Sequence, residues 1–153
     1  EALSRLEPRI RACFEAGAMA TGATLEVEPL GPPYSEFAHD LDLVAKYRNN
    51  AEALGRTFDS TPRRGAGSTD MANVSLLMPT IHPMLGLDSG SAVNHQPEFA
   101  AYCRTPVADR AAVEGALAMA LTAVDAATDE STRARLLSHE TSYSGAEAYP
   151  WSF

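Results

Sequence analysis

Apolar residues recur at helical spacing in three stretches of this chain, and alternate or cluster at strand spacing in three others. Leu6, Ile10, Cys13, Phe14 and Gly17 share one helical face, which predicts a helix over roughly 4–20. Ser4 and Glu7 have capping-box spacing, Pro8 suits a first turn, and Thr21-Gly22 closes the element. Thr24 to Glu28 alternates polar and apolar, as a half-buried strand does, with Leu25 and Val27 facing inward. Pro29 to Pro33, centred on Gly31-Pro32-Pro33, is rich in breakers and marks a domain boundary. A second helix is predicted over about 35–54, its stripe made by Phe37, Leu41, Val44, Tyr47, Ala51 and Leu54, with Gly55 as a left-handed stop. Residues 59–67 read as a loop. Val74 to Met78 and Thr80 to Leu87 read as short buried strands. A short helix is expected near His95, and a last strong one over 107–127 with Val113, Leu117, Leu121 and Val124 facing inward. Beyond Ser138 the sequence is polar and aromatic without a period. Helices alternating with strands predict an α/β sheet domain from about residue 34 onward.

Composition narrows the function. The chain has 153 residues, 45% hydrophobic, enough to bury a core. Its net charge of -8, with only Arg63-Arg64 as an adjacent basic pair, argues against nucleic acid as partner, since phosphate needs clustered cations. Two cysteines, Cys13 and Cys103, make no disulfide framework, and Cys13 is expected to be buried. There is no run of 18 apolar residues and no signal peptide, so no membrane is expected and a cytoplasmic location is the default.

Four residues are candidates for chemistry. A neutral imidazole at His95 can ligate a metal, yet a lone His at a helix start also serves as a capping or surface group. One ligand does not make a site. Asp70 can cap the turn that follows it, or hold a metal ligand through a hydrogen bond. His82 reads as a satisfied core group or as a residue orienting substrate. Asn94 reads as a helix cap or as a contact for a substrate carboxylate or amide. His39 and His139 sit in polar surroundings and carry no assignment. No Gly-x-Ser-x-Gly elbow occurs, and Gly65-Ala66-Gly67 lacks the lysine of a phosphate loop.

The run Gly67-Ser68-Thr69-Asp70-Met71-Ala72-Asn73-Val74-Ser75, then Pro79-Thr80-Ile81-His82-Pro83, then Asn94-His95-Gln96-Pro97-Glu98-Phe99, resembles the C-terminal part of the catalytic domain in peptidase family M20. That family comprises zinc-dependent amidohydrolases and aminoacylases. The likeness is greatest to the branch of the aminoacylase-1-like and aminobenzoyl-glutamate hydrolase proteins, and it covers roughly residues 1–128. It implies that 1–30 ends an α+β dimerisation (lid) domain and that 34–128 is the C-terminal part of a zinc-peptidase-like α/β sheet domain, with 129–153 a tail of unknown role.

The resemblance also implies a chemistry. His95 becomes a metal ligand, and Asp70, His82 and Asn94 become supporting or substrate-lining residues. Two zinc ions per full-length chain, or another divalent metal such as manganese, would activate a water against the amide bond of an N-acyl amino acid, dipeptide or similar conjugate. The general-base Glu and the remaining ligands are expected upstream, so this chain alone is expected to be inactive, and a homo-oligomer is expected. The alternative is a non-catalytic interaction or dimerisation module that keeps the fold without the metal site.

Overall fold

The computed structural model describes residues 2–58 and 67–138. They form six helices: α1 (Ala2–Thr21), α2 (Leu41–Ala53), α3 (Met71–Ser75), α4 (Pro97–Tyr102), α5 (Pro106–Thr128) and α6 (Glu130–Leu137). The loop expected over 59–67 lies outside the described residues except for Gly67, as do the aromatic tail and His139. The chain divides into two compact units between Pro33 and Tyr34.

The first unit is α1 and the segment after it. The helix begins earlier than its capping-box signal, which leaves Pro8 inside rather than in the first turn. It ends where Gly22 takes a φ of 71° and the Ala23 N–H bonds to the Ala18 carbonyl at 3.0 Å, a left-handed stop that glycine alone adopts freely. Leu6, Ile10 and Phe14 are exposed, and so is Cys13, against expectation.

In the second unit α2 packs against α5, and α5 against α6. Asp40 caps α2, its Oδ1 accepting the Leu43 N–H at 3.0 Å, so the helix starts at Leu41 rather than near residue 35. Gly55 ends it with a φ of 87°, as its position predicts.

The α/β expectation is overturned. Among the described residues there is no strand, and the fold is all-helical. A ladder needs a neighbouring backbone that offers N–H and C=O groups in register. Here side chains and turns take those groups instead. Val74 to Met78 is consumed by α3 and by a turn in which the Leu77 and Met78 N–H groups bond back to the Val74 carbonyl at 2.9 and 3.1 Å. The segment 35–40 runs past α3, yet its Ser35 N–H goes to Asn73 Oδ1 and its Ala38 N–H to Ser75 Oγ. The Asp40 N–H reaches backbone, at the Thr80 carbonyl, 3.0 Å. Thr80 to Leu87 forms neither helix nor strand among the described residues, and Met84 is 77% exposed. Thr24 to Glu28 forms no strand among the described residues either, and Val27 is exposed. A lone strand has nothing to bond to.

The orientation of α5 is a second correction. Val113, Leu117, Leu121 and Val124 were expected inward and are all exposed. The buried face is Ala111, Gly115, Ala118, Thr122 and Ala126, a stripe of small residues that lets helices approach closely. Ala118 is 1% exposed and joins Tyr47 and Ala51 of α2 in the core, with Leu54, Phe58 and Ile81 packed around them. By length and composition α5 could cross a membrane. It nonetheless places Glu114 against Arg56 and Asp125 against Asn50 of α2.

Candidate functional site

The glycine- and serine-rich loop enters α3 through Thr69 and Asp70. Asp70 stands at the N-cap position with helical dihedrals, and its side chain makes no capping bond. Thr69 acts in its place: its Oγ1 accepts the Met71 N–H at 3.3 Å and its carbonyl accepts the Ala72 N–H at 3.1 Å. The Asp70 carboxylate is exposed and takes one long bond, from Thr69 Oγ1 at 3.4 Å.

Asn94 and His95 precede α4, which begins at Pro97 with Gln96 as its cap position, so neither caps the helix. His95 is exposed and has a φ of 65°, the one positive value at a non-glycine among the described residues. The left-handed region costs a residue with a Cβ about 1–2 kcal/mol.

His82 does not lie in a core. It is exposed, and its ring centroid lies 6.2 Å from that of Phe37, which stacks on His39 at 4.2 Å. The bonds that hold segment 35–40 along α3 and Thr80 bring these three rings together.

Metal chemistry asks for at least three converging donors. Among the described residues no three of His, Cys, Asp and Glu gather in that way.

A polar clip between helices escaped the reading of the sequence. Asp40 and Asp42 at the start of α2 face α6, where Arg135 bonds to both carboxylates. Asp42 Oδ2 also accepts the Thr132 hydroxyl at 2.7 Å, and Lys46 pairs with Asp129 at 3.2 Å. Arg56 reaches Glu114 of α5 at 2.7 Å and the Gly86 carbonyl at 2.8 Å. The signal for α6 was present: Asp129 caps it through the Thr132 N–H, and Arg135 sits in its last turn.

The clip is tied to pH. The Thr132 hydroxyl, with Arg135 and Lys46, holds the Asp42 carboxyl below its usual range. The Thr132 N–H, then Ser131 and Lys46, hold Asp129 well below it. Unfolded, both groups take up protons near pH 3.8; folded, they do so only at lower pH. Their stabilisation is complete above that value and is lost as the pH falls through the folded range. Melting followed by circular dichroism should be flat from pH 6 to 8 and fall below about pH 4, less steeply in Asp129→Asn.

Residues of this chain align with two curated proteins, the Xaa-Arg dipeptidases of Mus musculus and Homo sapiens. Each is 32% identical over 126 residues, which is 80% of this chain and 29% of the relative. The similarity is to peptidases. The chain thus spans under a third of the length of the curated relatives it matches. No protein-family profile matches it.

Proposed function

We propose that these 153 residues are a segment of a dipeptide-hydrolysing enzyme and that His95 contributes one metal ligand to a site completed by residues outside them. The observation that carries this reading is the 32% identity to Xaa-Arg dipeptidases over 80% of the chain. The exposed, left-handed His95 supports it, because a donor held on strained backbone is placed for a task. So does the sequence around it, which resembles that of the zinc amidohydrolases of peptidase family M20. Zinc is the metal proposed, and Asp70 and Asn94, both exposed and neither used as a cap, are proposed to support the ligand or face the substrate. The substrate proposed is a small dipeptide or related amide. Self-association is proposed through the exposed stripe Val113, Leu117, Leu121 and Val124 of α5, a contiguous apolar face of the kind that pairs.

The test is hydrolysis of Xaa-Arg dipeptides by the protein expressed from its whole reading frame, beside the isolated chain 1–153. The whole protein should turn over and the isolated chain should not. His95→Gly should lower turnover by more than the roughly 10–100-fold that loss of a residue supporting a metal ligand costs. It should leave melting unchanged or slightly improved, because glycine relieves the left-handed strain. Turnover that survives this substitution would refute the role of His95.

A further inference from the structure

A cavity of about 250 Å³ opens beside α2, and none of Asp70, Asn94 and His95 lines it. Its buried and half-buried lining is apolar: Tyr47, Val44, Ile81 and Phe58. Its exposed lining includes Arg48, His39 and His82. Among the described residues no Asp or Glu lines it, although acidic residues outnumber Lys and Arg by 20 to 12 in the chain.

Arg48 differs from the other cations of this unit that have been described above. Arg56 is consumed by Glu114, Arg135 by Asp40 and Asp42, and Lys46 by Asp129. The Arg48 guanidinium instead lies 4.7 Å over the Phe58 ring, and among the described residues it has no ion pair. Stacking fixes the plane of a guanidinium while leaving its N–H edge open, the arrangement that grips a carboxylate with two parallel bonds.

We propose that this cavity binds a small carboxylic acid with an aliphatic or arylalkyl tail, the carboxylate at Arg48 and the tail against Val44, Ile81 and Phe58. The volume sets the size, since pockets for larger ligands run to about 300–1,000 Å³. The combination of a few directed polar groups over an apolar lining is the usual make-up of a small-molecule site. A metal is the poorer occupant, because the Phe37 ring stacks on His39 and neighbours His82, and no third donor joins them among the described residues. This inference does not depend on the role of His95.

The experiment is a nuclear magnetic resonance titration of the 153-residue chain with hexanoate and 3-phenylpropionate, beside hexanamide and 3-phenylpropionamide. The acids should give saturable shifts at the Arg48 Nε–H and at the Val44 and Ile81 methyls, with the amides at least tenfold weaker. Arg48→Gln, at an exposed position, should weaken the acids tenfold and keep the fold, with only the small loss of melting temperature that a cation–π contact of about 0.5–1 kcal/mol implies. Acetyl-leucine distinguishes a peptide's C-terminal residue from a free acid as the source of the group; tighter binding by either upholds a carboxylate site. Equal binding of acids and amides, or unchanged binding by Arg48→Gln, would overturn the proposal. So would shifts at the same groups on raising protein concentration without any probe, which would assign the cavity to a second copy.

Discussion

Ala118→Leu should lower the stability of the helical unit by about 3 kcal/mol, the upper end of what overpacking a core costs. Ala118 is 1% exposed and touches Tyr47 and Ala51 where α5 meets α2. Small side chains on α5 face Ala51 on α2, and a side chain 1% exposed has no solvent into which to turn three further carbons. The strain is large beside the total. No large side chain is fully buried among the described residues, so the core is thin and the margin small. The control is one residue away. Met119→Lys, at a side chain 57% exposed and outside the stripe proposed to pair, should change stability by no more than about 0.5 kcal/mol. Urea denaturation of both variants reads the difference. The opposite ranking would mean that α5 is turned with its large residues inward.

Arg135→Gln should cost about 2 kcal/mol. The side chain of Asp40 is 8% exposed, and Arg135 answers its carboxylate with two bonds. Removing one partner of a buried pair costs about 3–5 kcal/mol. Arg135 is 34% exposed, so water moderates the loss and a lower figure applies. Asp42 loses a partner as well, although Thr132 and Lys46 still hold it. The double variant Asp40→Asn with Arg135→Gln should recover part of the loss, because no charge is then left buried. A single loss below about 0.5 kcal/mol, the range of exposed pairs, would show the clip to be surface decoration.

The long helices were legible from period alone, because α1, α2 and α5 carry apolar residues every third or fourth position. Their ends were less so. Pro8 and the Ser4–Glu7 spacing suggested a start that α1 does not use, whereas Gly55 marked the end of α2 correctly. The face of α5 was misread because alanine carries little hydrophobic signal. The eye follows Val113, Leu117, Leu121 and Val124, while Ala111, Gly115 and Ala118 make the closer packing.

The strands were misread for a related reason. A short apolar run such as Val74 to Met78 fits a strand or a helical turn equally until partners are known. Neighbours supplied side chains of Asn73 and Ser75 rather than backbone ladders. The candidate residues were found by motif, yet the left-handed conformation of His95, the ring contacts of His82 and the freedom of Arg48 depend on tertiary placement and have no local signal.

The measurement that goes most directly to the central claim is zinc content per chain. It should be made on the protein expressed from its whole reading frame, on the same protein with His95→Gly, and on the isolated 153 residues. The account predicts zinc in the first, its loss in the second at unchanged melting temperature, and none in the third, where no three donors gather among the described residues. Full zinc in the His95→Gly protein, or zinc held by the isolated chain, would contradict it.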